Sequence, residues 1–303
     1  MREGAQPYGA VLRKKSSSAG KFLALVFFAL VATFGSSGCT SQNPRDRFLL
    51  AEKLWQEKNY AAAVAEYEKV VQKAPSSDLG IEAAYRAATT QTLFLNEQLG
   101  ALKKLNRIIE VNREHRLAHP ANKLIGEILF TKLEQYEAAI QHYEKMLENY
   151  PEDPARSEYA YRIGKAQFHL LRFDDSIKTF RVVVERYPDT DSAKLARFAI
   201  GVSEQTKGHQ LQAKEARLAQ DAFKQAVKDY SDFIVRYPND PLVLDAKFEI
   251  GNSLEELDQV DAAYEKFEEI LEKYPNRPVV ELKLKRIKDR KNQKNLKEPK
   301  VGR

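Results

Sequence analysis

A Tyr-Pro pair, or its near equivalent, closes one segment after another along this chain: Ala74-Pro75, Tyr150-Pro151, Tyr187-Pro188, Tyr237-Pro238 and Tyr274-Pro275. The prolines lie 76, 37, 50 and 37 residues apart, so the period is 37, with two periods in the first gap and 13 additional residues in the third. A period in the thirties means stacked supersecondary units, none of which buries its apolar face alone. Within a unit the apolar spacing is helical. Only 13 Gly and 12 Pro in 303 residues leave little room for a loop-rich β protein.

The two clearest units run Tyr161-Arg-Ile-Gly164, Ser176 to Phe180, Val183, Tyr187-Pro188, and Phe248-Glu-Ile-Gly251, Ala263 to Phe267, Ile270, Tyr274-Pro275. Small residue, aromatic four later, aliphatic three after that, then proline: this order resembles the tetratricopeptide repeat. Gly164, Gly201 and Gly251 fall at its close helix–helix contact, and Ala63, Ala139, Ser176, Ala226 and Ala263 at its second small position. Tyr67, Tyr143, Phe180, Tyr230 and Phe267 take its large aromatic. Small residues let two antiparallel helices approach, and the ring fills the gap beside them. The resemblance implies an all-α fold, a right-handed α-solenoid of about six helical hairpins. The hairpins are expected near 46–74, 81–114, 120–150, 155–187, 192–237 and 241–274. Asp153-Pro154 and Asp240-Pro241 supply helix starts. The second unit lacks the proline and keeps the signature of its second helix alone, at Ala101, Leu105 and Ile108. The additional residues of the fifth unit, near Lys207–Gln220, read as an extended helix end plus a loop.

The start of the chain is an address. Arg13, Lys14, Lys15 and Lys21 precede an unbroken apolar run from Phe22 to Phe34. At 1.5 Å per residue it reaches roughly 20 Å, short of a ~30 Å hydrocarbon core, and suits the apolar region of a secretory signal. Ser37-Gly38-Cys39 follows, with the chain's single cysteine. These residues resemble the lipobox of bacterial lipoproteins, although Ser36 stands where an aliphatic residue is usual. The resemblance implies cleavage and lipidation at Cys39. Thr40, rather than Asp, after the cysteine then implies outer-membrane sorting at the periplasmic face. The expected order is signal peptide 1–38, lipidated tether 39–47, solenoid 48–280 and a basic, disordered tail 281–303. The tail includes an amphipathic or fraying helix from about Val279 into Lys291.

Charge and chemistry narrow the function. The formal net charge of +6 comes from the two ends, since residues 1–38 and 281–303 are strongly basic and the span between them is net negative. That distribution does not call for nucleic acid. One cysteine excludes a disulfide framework and a Cys-rich metal site. No phosphate-binding loop, dinucleotide fingerprint or nucleophile elbow occurs. His115 and His119 stand four apart without the metalloprotease glutamate, and Pro120 should break a helix there, so both read as solvated loop histidines. No catalytic residues, metal or cofactor are expected.

One recurrence carries a binding reading. Phe48, Tyr161, Phe198 and Phe248 each stand three residues before the small first-helix position, and Trp55 and Phe168 take a later position on the same helix. In tetratricopeptide solenoids these positions tend to face the concave groove, which would make a platform for an extended peptide or partner helix. The whole pattern resembles the BamD-type lipoproteins of the outer-membrane β-barrel assembly machinery. It implies a non-enzymatic scaffold for envelope proteins, held to the membrane through Cys39. A YbgF-type coordinator of cell-wall or Tol–Pal processes, or a regulator of a cell-wall enzyme, are the alternatives.

Overall fold

The computed structural model describes residues 43–297. The signal segment and Cys39 lie outside them. Six antiparallel hairpins follow one another: α1 (Pro44–Gln56) with α2 (Tyr60–Lys73), α3 (Asp78–Thr90) with α4 (Gln98–Val111), and α5 (Ala118–Glu127) with α6 (Tyr136–Asn149). Then come α7 (Arg156–His169) with α8 (Phe173–Arg186), α9 (Asp191–Leu211) with α10 (Ala216–Arg236), and α11 (Leu242–Glu256) with α12 (Val260–Ile270). A last helix, α13 (Arg277–Lys297), follows them. The all-α solenoid is as the repeat pattern implies. Among the described residues no helix is long and apolar enough to cross a membrane.

The small-to-aromatic contact defines each hairpin. A Cβ built on Gly164 would lie 2.6 Å from Phe180, one on Gly251 2.7 Å from Phe267, and one on Gly126 2.6 Å from Tyr143. Glycine is required at these places because the ring of the second helix sits on the backbone of the first. First and second helices are joined by a residue in the left-handed region: Lys58, Asn96, Glu134, Leu171 and Asp258 have φ of 62°, 56°, 51°, 59° and 58°. Such a residue ends the first helix and turns the chain back.

The second and third hairpins carry one residue more than the first, fourth and sixth. The small positions are 12 apart in Ala51–Ala63, Gly164–Ser176 and Gly251–Ala263, but 13 apart in Ala88–Ala101 and Gly126–Ala139. In those two the first helix ends in a π-helical turn, Gln91–Leu95 and Ile128–Lys132. The wider turn absorbs the added residue and keeps the small residues in register. The second hairpin is therefore complete, its first helix packed through buried Ala84 and Ala88.

In the fifth hairpin both helices are longer, and they meet at Leu211 and Ala216. Lys207 Nζ reaches Asp174 Oδ1 of the preceding repeat at 2.6 Å, and Gln212 donates to Glu256 of the following one at 2.7 Å. The extension is braced on both sides.

Three expectations need correction. The tether ends before residue 47, because Asn43 caps α1 by accepting the Arg45 N–H at 3.0 Å, and Pro44 opens the helix. The helix expected from about Val279 into Lys291 runs from Arg277 to Lys297, so most of the span 281–303 expected as a disordered tail is helical. Val280, Leu284 and Ile287 bury against the last hairpin, and Lys283 and Arg286 pair with Glu255 at 2.8 and 2.5 Å. The end of a solenoid exposes an apolar face that needs a cap, and this basic helix supplies it. The histidines are not two solvated loop residues either: one is buried and the other is helical and paired. The His115 side chain is only 7% exposed, and its Nδ1 accepts the Leu117 N–H at 3.1 Å. His119 lies in the first turn of α5 with Nε2 at 2.6 Å from Asp153 Oδ2. Pro120 sits in that same first turn, where its missing N–H costs nothing.

Candidate protein-interaction face

First helices of successive repeats touch one another, α1 with α3, α7 with α9 and α9 with α11. No two second helices of neighbouring repeats come into comparable contact. In these pairs the first helices lie closer together than the second helices do, and the face that the first helices line is the inner face of the array.

Phe48, Tyr161, Phe198 and Phe248 occupy equivalent places on that face. Each is half-buried, with one edge against the large aromatic of its own second helix: Phe48 on Tyr67 at 5.5 Å, Tyr161 on Phe180 at 5.5 Å, Phe198 on Tyr230 at 5.4 Å and Phe248 on Phe267 at 5.5 Å between ring centroids. Phe198 also meets Phe233 at 5.5 Å and Phe248 stacks on Tyr274 at 5.0 Å, and all four rings keep part of their surface exposed. Burial pushes the Tyr161 phenol up from its ordinary value. Tyr85, three residues before Ala88, is a further member that the sequence pattern passed over.

A second row of rings runs along the turns between first and second helices. Trp55 is 37% exposed, packs edge-on to Tyr60 at 6.1 Å, and meets Phe94 at 6.0 Å. Tyr60 and Phe94 stack at 4.1 Å, with Phe94 presented by the π turn and 45% exposed. Phe130, Tyr136 and His169 repeat the arrangement two repeats on, Tyr136 stacked on His169 at 4.5 Å. Phe168 then packs on Phe173 at 5.4 Å. The sequence reading found Trp55 and Phe168 and missed their partners. The signal was present: an aromatic five residues after the first ring, at Tyr60 and Phe173, or six where a π residue is inserted, at Tyr136.

Polar groups divide the face. In the first two repeats Glu52 accepts the Tyr67 hydroxyl and lies 3.9 Å from Arg86, which also pairs with Glu82 at 3.1 Å. In the fourth repeat the corresponding position is Lys165, beside Arg162 and the rings of Phe130 and Tyr161. Desolvation, then repulsion from Arg162, lowers the Lys165 pKa. His169 is lowered by burial and by Lys165 in turn, with Glu134 opposing. Among the described residues no three His, Cys, Asp or Glu side chains gather where a metal could be held.

A family model described as YfiO, outer membrane lipoprotein, matches residues 130–261, somewhat under half of the chain. The chain is an all-α helical-repeat protein that resembles the BamD-like tetratricopeptide-repeat lipoproteins. Among solved structures it is similar to PilW, a type IV pilus biogenesis factor, at 14% identity and TM-score 0.48, covering 78% of this chain and 97% of that one. It is similar to YrrB, described as a TPR protein with an unusual peptide-binding site, at 19% identity and TM-score 0.43, covering 69% and 93%. PilF of Pseudomonas aeruginosa gives 14% identity and TM-score 0.44, covering 82% and 97%. No curated protein matches the sequence.

Proposed function

We propose that this BamD-like repeat protein is a membrane-anchored scaffold lipoprotein of the bacterial envelope and a component of outer-membrane protein assembly. It holds partner proteins or peptides against its inner face and carries out no chemistry of its own. The observation that supports this most is the repeated half-exposed ring on the first helices, at Phe48, Tyr161, Phe198 and Phe248. Partly exposed aromatic side chains on a rigid surface are common anchors of protein interfaces. The match of residues 130–261 to an outer-membrane lipoprotein family supports the location. Cys39 provides the anchor, and because α1 begins at Pro44, lipid chains on Cys39 keep the first repeat close to the membrane.

Two measurements on the full chain test the reading. Cys39→Ser should release the protein from the membrane pellet, and the extracted parent should carry acyl mass on Cys39. Tyr161→Ala and Phe198→Ala should lose partners that co-purify with the parent from detergent-solubilised membranes, while still unfolding cooperatively. A Cys39→Ser protein that stays in the pellet contradicts the anchor. Folded ring variants that keep every partner contradict the inner-face scaffold.

A further inference from the structure

Seven lysines among the described residues are half-buried: Lys104, Lys165, Lys194, Lys207, Lys247, Lys266 and Lys283. Six have a carboxylate close by. Lys104 reaches Glu68 at 2.6 Å, Lys194 reaches Asp240 at 3.1 Å, and Lys207 reaches Asp174 at 2.6 Å. Lys247 and Lys266 reach Glu269 at 2.5 and 3.1 Å, and Lys283 reaches Glu255 at 2.8 Å. Lys165 is the seventh and has no such partner. Its ammonium lies 5.7 Å from the Phe130 centroid and 6.0 Å from that of Tyr161, with the Arg162 guanidinium 5.3 Å from Phe130. A half-buried cation that lacks an anion is an uncommon arrangement, because desolvation penalises the charge and nothing offsets it.

The position adds a direction. Tyr161, Lys165 and Phe168 are spaced four and three apart on α7, so they share its inner face. Phe130 and Tyr136 of the preceding hairpin stand beside them, with His169 between the two layers. The first repeat shows how this fold satisfies the same level internally, since Glu52 there is held by Tyr67 and Arg86. In the fourth repeat no carboxylate among the described residues pairs with Lys165.

We infer that the junction of the third and fourth repeats binds an acidic, extended segment of a partner protein, one carboxylate side chain against Lys165 and a neighbouring apolar side chain on the partly exposed rings of Tyr136 and Phe168. This deepens the scaffold reading and rests on it. The carboxylate restores to Lys165 the pairing that every other half-buried lysine here already has, and the cation-π contacts hold the ammonium in place beforehand. Arg162 pairs with Glu158 at 3.4 Å, so Lys165 is the cation that lacks a carboxylate, and desolvation followed by the like charge of Arg162 lowers its pKa.

The test uses the full chain in detergent micelles and two terminally blocked hexapeptides, one alternating glutamate with phenylalanine and the other glutamine with phenylalanine. Fluorescence anisotropy should show the glutamate peptide binding about tenfold more tightly, a preference that declines with added salt. Lys165→Gln should abolish the preference and Lys165→Arg should keep it. Lys165→Gln should melt no lower than the parent, since it removes an unpaired, desolvated charge. Equal binding of the two peptides, a preference that ignores salt, or one that survives in Lys165→Gln overturns the inference. Displacement of the glutamate peptide by acetate at equal carboxylate concentration also overturns it, because the site would then take any small anion. If the peptides fail while Tyr161→Ala still loses its co-purifying partners, the acidic segment is wrong and the scaffold stands. If the ring variants keep their partners, the scaffold itself is wrong.

Discussion

A Cβ on Gly208 would lie 2.7 Å from Phe223, the same contact that Gly201 makes with Tyr230 seven residues further along each helix toward the core. Seven residues are two helical turns, so the extension of the fifth hairpin repeats the array's own packing rule instead of decorating it. Phe223 is fully buried as a result. Phe223→Ala should therefore cost about 3–5 kcal/mol in denaturant unfolding, as for any core ring. A cost under about 1 kcal/mol would mean that the extension is an independent surface element.

Tyr230 and Tyr67 separate two roles for the same repeat position. The Tyr67 hydroxyl donates to Glu52, whereas the buried Tyr230 hydroxyl has no hydrogen-bond partner, and burial pushes its pKa up. Tyr230→Phe should leave stability unchanged or raise it by about 1–2 kcal/mol, because an unsatisfied buried hydroxyl is removed. Tyr67→Phe should instead lose about 1 kcal/mol. Equal losses at both positions would contradict the assignment.

Glu204 is buried on α9, and desolvation raises its pKa, with Lys207 opposing and Asp229 reinforcing. The folded state holds this proton more tightly than the unfolded chain does. Its contribution to stability is thus complete below the ordinary glutamate value, about 4.3, and is lost as pH rises through the raised value. Glu204→Gln should raise the melting temperature at pH 7, and the gain should vanish toward pH 4. A gain independent of pH would point to packing instead.

Leu171 turns the fourth hairpin at φ 59° while 62% exposed. A side chain in the left-handed region costs roughly 1–2 kcal/mol, part of which glycine recovers after its larger entropy loss. Leu171→Gly should stabilise by about 0.5–1 kcal/mol in urea unfolding. A destabilised variant would show that the leucine makes contacts that outweigh its backbone strain.

Much of this architecture was legible because the constraint is periodic. The Tyr-Pro ends, the small positions and the ring four residues after each second small position placed all six hairpins. What escaped was aperiodic. Tyr85 was hidden because the second unit uses Ala88 for glycine and carries an inserted residue, which only the π turn at Gln91–Leu95 reveals. The last helix was expected from Val279 into Lys291, but its run of charge hid its continuation to Lys297 and its burial as a cap through Val280, Leu284 and Ile287. The pairing of His119 with Asp153 joins residues 34 apart, close to one period, and the sequence alone does not show that they meet. The isolation of Lys165 is a relation between repeats, so no single repeat displays it.

The central claim is that partners dock on the inner face, and site-specific photo-crosslinking in cells tests it most directly. A benzoylphenylalanine at Tyr161 or Phe198 adds one ring where a half-buried ring already stands. Val235, 81% exposed on the second helix α10, is the control for the other side of the array. The account predicts discrete crosslinked partner bands from positions 161 and 198 and none from 235. Partner bands from 235 with none from 161 and 198 would contradict it.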